Sequence, residues 1–374
     1  MDVSNNDNKK NKYIMKQTKL IIAGGFLGAG KTTLIWEVAQ RLMAKGLRVG
    51  LITNDQAPEL VDSQLLRQAD LKVAEVAGSC FCCNFNGFID AIKSLRSDIE
   101  ADVILAEPVG SCADLTATIV RPLKQFHNTE VIVSPLTVLS DPIRLKSILY
   151  GGDGGLHEDA AYIYRKQLEE SEVILITKTD LISEEELKKL VKDTKNCFHG
   201  TKVMTVSSHN GNGVNEWFED VANRQGEGTK ILDINYDTYA HGEAVLGWLN
   251  GTVALTGKHA FWDSLLKDIM KGLVQVIKDK KLNVGHIKVI AENGKKYAVA
   301  NITGDVSTLQ FRGSAGMSDN LKLIINARVE TSPEQLDEIV KQVLVDAIGD
   351  KYQDEILAWR YLMPGRPDPT HRIV

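Results

Sequence analysis

Three of the chain's five cysteines fall within four positions, Cys80, Cys82 and Cys83 in VAGSCFCCNF. Thiols so crowded suit one of three chemistries: a disulfide, a redox switch, or a grip on a soft or borderline ion such as Zn²⁺ or Co²⁺. The disulfide is the weakest reading. Cys82 and Cys83 are neighbours, and Cys80 and Cys82 in extended chain stand ~6.5–7 Å apart at Cα, the outer edge of disulfide geometry. In extended chain Cys80 and Cys82 project to one face and Cys83 to the other, whereas a turn brings all three together.

A second set of residues suits phosphate. In GGFLGAGKTTL, Gly25 to Thr32 fits G-x-x-x-x-G-K-[ST] after an apolar strand and before a helical pattern. Gly25, Gly28, Ala29 and Gly30 would turn backbone N–H groups towards a β-phosphate, at the positive end of the following helix. Lys31 is expected to reach the β- and γ-phosphates, Thr32 to ligate Mg²⁺, and Thr33 to extend the cradle. Further on, ITKTD (with Thr177, Lys178 and Asp180) and SSHNGNGV (opening on Ser207 and Ser208) follow two later strands. An Asp carboxylate there can accept from guanine N1–H and the 2-amino group, a Lys stem can cover the ring, and a backbone N–H near the serines can meet O6. GTP and GDP are therefore favoured over ATP.

These residues need a scaffold. From Lys19 to about Gly226, short apolar runs (KLIIAGG, RVGLITND, LKVAEVAG, DVILAEP, EVIVSPLTV, EVILITKTD, TKVMTVSS) alternate with helix-length amphipathic segments at 32–45, 86–96 and 183–195. That order predicts an α/β P-loop NTPase domain with a mostly parallel sheet and helices on both faces. After ANRQGEGTK the order becomes strand (244–256), helix (261–278), strands (286–291, 296–302, 309–312, 321–329) and helix (333–348), a smaller C-terminal α+β domain. The expected divisions are a disordered leader at 1–17, the GTPase domain at 18–226, a linker at 227–240, the second domain at 241–350 and a tail at 351–374. Tyr150–Asp159 is glycine-rich and expected as an exposed loop, and PGRPDPTHRIV as extended or pinned across another surface. Phe261, Leu265, Leu266, Ile269 and Leu273 form a core stripe. His286 reads as an ordinary strand histidine. Asp233, Asp237, His241 and Glu243 could suit a cation, but fit a solvated linker better.

Composition narrows the class. At 374 residues, 43% apolar, 25% charged and net −5, the chain is that of a globular protein without the basic face that nucleic acid requires. The N-terminal MDVSNNDNKKNKYIMKQ lacks a secretory core, and no apolar run approaches the ~20 residues of a membrane span. A cytoplasmic home, with reduced thiols, is expected.

Together these landmarks resemble the CobW-type branch of the CobW/HypB/UreG group of P-loop GTPases. NDQAPELVD, with Asp55 and Asp62, looks like that family's first switch, CFCC like its C-x-C-C element, and EPVGSCADL like its E-x-x-G second switch with Glu107 and Gly110. KQLEESEVILITKTDL resembles the approach to its guanine loop. Ser79 and Thr177 stand where the family commonly has Gly and Asn, and its His-rich tract is absent, the eight histidines being scattered. The resemblance implies metal at Cys80, Cys82 and Cys83, Glu107 with Asp55 or Asp62 beside the magnesium, and a client metalloprotein or cofactor enzyme, of which a cobalamin-dependent one is an example. A nucleotide-dependent homodimer also enters by this route. A tetrahedral thiolate site wants a fourth ligand, and Cys112 is the candidate, since both segments should follow strands and end where ligands collect in open α/β sheets. The competing reading of Cys112 is a small buried filler. A redox-sensing interaction switch is the alternative function. Asp180→Asn is expected to lower GTP affinity about 10-fold or more and to raise that for xanthosine triphosphate, measured by competition binding; unchanged base preference would leave an adenine nucleotide as the better fit.

Overall fold

The computed structural model describes residues 17–55, 71–77, 79–294 and 296–374. In the first half, β1 (Thr18–Gly25), α1 (Lys31–Ala44), β2 (Val49–Asp55), β3 (Lys72–Ala77), α2 (Phe85–Asp98), β4 (Val103–Glu107) and α3 (Arg121–Phe126) come in order. Then follow β5 (Val131–Val133), β6 (Thr137–Ser140), α4 (Pro142–Leu149), α5 (Glu158–Glu170), β7 (Val173–Ile176), α6 (Glu184–Cys197), β8 (Lys202–Thr205) and α7 (Val214–Asn223). The strands form one parallel sheet in the order β3-β2-β4-β1-β6-β7-β8, with β5 beside the start of β1.

Period-2 alternation explains why both faces are covered. Leu20 and Ile22 of β1 join Ile104 and Ala106 in a core completed by Phe88 and Ile92 of α2 and Ile163 and Tyr164 of α5. Ile21 and Ala23 point the other way, with Leu105, towards Leu34, Ile35 and Val38 of α1 and Trp217 of α7. Strands buried on both faces read as unbroken apolar runs. EVIVSPLTV, taken as one run, is two strands, because Pro135 has no N–H for the ladder. Leu156 and Gly154 are buried, so the glycine-rich loop is anchored rather than wholly exposed.

The second half comprises α8 (Tyr236–Ala244), β9 (Gly247–Phe261), α9 (Trp262–Lys280), β10 (Val284–Glu292), β11 (Tyr297–Gly313), β12 (Met317–Val329), α10 (Pro333–Ile348) and β13 (Gln353–Leu362). Its antiparallel sheet has the order β11-β10-β12-β9-β13. One face packs on α9 and α10 through Leu265, Leu266, Ile269, Leu336 and Val340. Ser332 caps α10 by accepting from the Gln335 N–H, with Pro333 in the first turn. Three expectations change. The segments 296–302 and 309–312 are one strand, β11. Phe261 is exposed, and its neighbour Trp262 fills the core. Residues 353–362, expected in the tail, form edge strand β13; its mostly exposed side chains leave only a weak buried pattern in the sequence.

One cation ties the halves together. Asp141 caps α4, accepting from the Ile143 and Arg144 N–H groups. Arg144, buried, donates to the carbonyls of Leu27 (2.8 Å) in the phosphate loop and of Val284 (2.8 Å) and Gly285 (3.0 Å) in β10. Its guanidinium lies 5.5 Å from the Phe26 ring centroid. Burial lowers its pKa, with the Asp141 charge opposing. Arg144→Ala strands three carbonyls and is expected to cost about 3 kcal/mol or more in denaturant unfolding. Arg144→Lys, a point charge rather than a fork, should recover only part; a silent Ala variant would deny the contact any structural weight.

Candidate functional site

The phosphate loop's shape follows from positions where only glycine fits. Gly25 has φ 127°, and a Cβ there would lie 2.3 Å from the Leu139 carbonyl oxygen of the adjacent strand. A Cβ on Gly28 would lie 2.3 Å from Thr303 Cγ2 of β11, so the second half rests directly on the loop. Lys31 Nζ donates to the Gly25 carbonyl at 2.9 Å and stands 4.0 Å from Glu107 Oε1. Thr32 Oγ1 donates to the same carboxylate oxygen at 3.0 Å.

Around them opens a cavity of about 600 Å³. Of the residues expected at a nucleotide, Gly28, Gly30, Lys31, Thr32, Thr33, Glu107, Gly110, Thr177, Lys178, Asp180 and Ser208 line it. Gly25, Ala29 and Ser207 stand behind the wall. The Ala29 carbonyl accepts from Thr177 Oγ1 at 2.8 Å, which gives the Thr177 hydroxyl a place in the loop's support. Ser207 Oγ donates to Asp180 Oδ1 at 2.5 Å and so fixes that carboxylate. Lys178 sits in left-handed backbone, and burial lowers its pKa. Asp55 ends β2, and Asp62 lies outside the described residues.

The roof is a surprise of position. His286, Lys288, Asn326 and Arg328 line the same cavity from the open face of the antiparallel sheet. Arg328 stacks 4.1 Å over the Trp248 ring. His286, expected as an ordinary strand histidine, is on strand β10 and also lines this cavity. Its signal was local: in GHIKV, His286 and Lys288 alternate with the core residues Ile287 and Val289. Nothing in that alternation says which surface they face.

The cysteines meet in a turn. The Cys83 and Asn84 N–H groups both donate to the Cys80 carbonyl, at 3.1 and 2.9 Å. The Sγ atoms then lie 2.9 Å (Cys80–Cys82), 3.1 Å (Cys80–Cys83) and 3.9 Å (Cys82–Cys83) apart. Thiolates 2.3 Å from a tetrahedral ion stand about 3.8 Å apart, so small movements of two sulfurs would admit zinc. Between them Phe81 points into the core and stacks on Phe88, centroids 4.3 Å apart.

Cys112 lies beside Cys80 and Cys82, but the sulfurs that fall within 4.8 Å of one another are those of Cys80, Cys82 and Cys83. Its carbonyl and that of Gly110 accept from Gln167 Nε2, at 2.8 and 3.0 Å. Contacts from Cys112, Cys82 and Cys83 hold the Cys80 thiol far below its ordinary pKa. The others are pushed up: Cys82 by its bond with Cys112, Cys112 by its bond with Cys80, and Cys83 to about 11 by Cys80. Glu243, read as part of a solvated linker, is buried, accepts from Ser111 Oγ at 2.5 Å, and is pushed up to about 8 by burial.

Two structures clamp the thiol loop. The tail crosses it: Asp368 N–H donates to Cys83 Sγ (3.2 Å), Thr370 N–H to the Cys82 carbonyl (2.9 Å) and Thr370 Oγ1 to the Cys83 carbonyl (3.1 Å). His371 meets Phe85 edge-on, centroids 5.0 Å apart. From below, Asn54, at the end of β2 and in the cavity wall, donates to the carbonyls of Val76 (2.7 Å) and Ser79 (2.8 Å) and accepts from the Phe81 N–H (2.8 Å).

The profile of the CobW/HypB/UreG nucleotide-binding domain matches residues 19–205, half of the chain. The chain belongs to this family. Among its relatives, the zinc chaperone CobW of a Sinorhizobium species is 28% identical over 213 residues, 50% of this chain and 58% of that protein. The zinc chaperone YjiA of Escherichia coli is 25% identical over 178 residues, 46% of this chain and 52% of that protein. The chain thus spans about half the length of the curated relatives it matches. The structure of Zn(II)-bound YjiA GTPase from E. coli superposes with a TM-score of 0.40 at 14% identity, covering 88% of this chain and 99% of that one. Among the described residues no helix is long and apolar enough to cross a membrane.

Asn54→Ala removes three hydrogen bonds, one to β3 and two to the thiol loop, and touches no sulfur. It is expected to weaken zinc binding about 10-fold, read by chelator competition. Asn54→Asp keeps the acceptor for Phe81 and loses both donors, and should fall at least as far; wild-type affinity in both would cut the loop loose from β2.

Proposed function

We propose that this chain is a GTP-hydrolysing metal chaperone that carries zinc on Cys80, Cys82 and Cys83, with Cys112 as fourth ligand, and yields it to a client metalloprotein when GTP is turned over. The supporting observation is Asn54, one side chain that borders the phosphate cavity and fastens the cysteine turn. The names of the relatives agree with this reading. Sulfur donors suit zinc; cobalt fits the same set by type.

In this reading Lys31 moves from the Gly25 carbonyl to the β- and γ-phosphates, and Asp180, held by Ser207, accepts from guanine. A buried hydroxyl and carboxylate 3.0 Å apart at the cavity offer hard oxygen donors, so Thr32 would hold magnesium directly and Glu107 through its outer shell or a water. Bound there, magnesium neutralises charge on the transferring phosphoryl group. Glu107 also orients the attacking water, with Asp55 or Asp62 completing the geometry. Lys288 and Arg328 supply positive potential from above. Loss of the γ-phosphate relaxes the end of β2, which carries Asn54, and the segment after β4, which carries Cys112.

A redox-sensing switch has one observation in its favour, the Cys80 sulfur with two other cysteine sulfurs within 3.1 Å. Native mass spectrometry of anaerobically prepared chain separates the two readings, since the chaperone retains a zinc that is lost on Cys80→Ser or Cys82→Ser, whereas the redox switch carries no thiol-dependent metal. The coupling itself is tested by zinc affinity in the GDP state and with a non-hydrolysable GTP analogue, expected to differ at least ~5-fold, with a matching effect of zinc on nucleotide affinity. Identical affinities in the two states would sink the proposal.

A further inference from the structure

Helix α8 packs against α5, and the approach is close at Gly242, where a Cβ would lie 2.4 Å from the Asp159 carbonyl oxygen. The neighbouring His241 is thereby set against the first turn of α5. There His157 is the N-cap, and its Nδ1 accepts from the Asp159 N–H at 3.2 Å. His241 Nδ1 bonds Asp159 Oδ2, and His157 Nδ1 lies 3.8 Å from the same oxygen. The two imidazoles meet at 66° with centroids 5.5 Å apart. Ligand atoms of His157, Asp159 and His241 all fall within 4.8 Å of one another.

We infer that these residues form a second metal site, away from the thiols, for a borderline divalent ion such as Zn²⁺ or Co²⁺. Two imidazoles and a carboxylate are a donor set for such ions, and positions remaining open can be filled by water. Ligands at about 2.1 Å on a tetrahedron stand ~3.4 Å apart, so His241 backs away slightly from Asp159 while His157 closes in. His157 gives up its backbone cap when it turns to the ion. The helix ends are mixed in sign. His241 lies in the last turn of α8, where the dipole favours a cation, while the opposing dipole of α5 is offset by Glu158 and Asp159 in its first turn. His241 is 61% exposed at its side chain, so an ion can enter.

The site clasps two helices that grip one segment. Gln167 of α5 holds the Gly110 and Cys112 carbonyls; Tyr239 of α8 accepts from the Ala113 N–H at 3.0 Å, and Glu243 accepts from Ser111. An ion between His157 and His241 therefore braces the chain around Cys112 from both sides. The competing interpretation is an ordinary surface ion pair with a histidine cap.

Titrating the full chain with Co²⁺ separates the two. The expected result is a second equivalent that adds ligand-field absorption without sulfur-to-cobalt charge transfer. His157→Ala and His241→Ala should each weaken that equivalent at least 10-fold and leave any charge-transfer band unchanged. His259→Ala, which removes the similar but two-membered exposed pair with Asp319, should have no effect. The inference is overturned if His241→Ala, verified as folded by circular dichroism, retains the second equivalent at wild-type affinity, or if His259→Ala abolishes it equally. Failure of the thiol-site reading would look different: no charge-transfer band, with the histidine-dependent equivalent still present.

Discussion

One amide side chain sets the terms on which the two candidate sites coexist. Asn54 closes three hydrogen bonds at the end of β2, two as donor and one as acceptor, to Val76 near the end of β3, to Ser79 and to Phe81 in the cysteine turn. A buried amide with its polar atoms so committed cannot shift without exposing carbonyls and an N–H group to an apolar surround, at about 1–3 kcal/mol each. The strand end and the turn therefore move together or not at all. Glu107 and Cys112 repeat the arrangement one strand over, where β4 ends at the cavity and the chain runs on to the sulfur cluster within five residues. Two adjacent strand ends thus each carry one residue for the cavity and one hold on the thiols.

The second half of the molecule completes this arrangement instead of sitting apart from it. Its sheet presents one greasy face to α9 and α10 and one polar face to the phosphate loop, and Arg144 pins the join through backbone carbonyls on both sides. Main-chain acceptors are present whatever the side chain, so these three hydrogen bonds depend on the guanidinium, while the close packing of the join also restricts Gly28 and Gly285.

Much of this could be read from the chain. The phosphate loop was legible because Gly25, Gly30, Lys31 and Thr32 each do a different physical task at fixed spacing, and the parallel sheet because strands buried on both faces are unbrokenly apolar. The cysteine turn was not. Spacing alone sends Cys83 away from Cys80 and Cys82, and the convergence comes from backbone bonds to the Cys80 carbonyl and from Asn54, 26 residues upstream of Cys80. The roof of His286, Lys288 and Arg328 was half legible: alternation assigns a face, but docking decides what it faces. His157 and His241 are separated by 84 positions, and only the close approach at Gly242 makes them neighbours. Glu243 looked solvated because its own stretch is polar, yet α8 turns it inward against Ser111.

The crossing of the thiol loop by residues 368–370 has an implication for how the molecule comes into being. The cysteine turn is translated early, whereas the segment that covers it lies about 285 residues later. During synthesis the sulfurs must spend the making of the entire second half uncovered, open to any ion or oxidant in their surroundings. Loading in that interval would meet no obstruction, whereas loading of the finished chain must first lift Thr370 from the carbonyls of Cys82 and Cys83. Nascent and mature forms of one polypeptide would then differ in how fast they exchange an ion, though their ligands are the same.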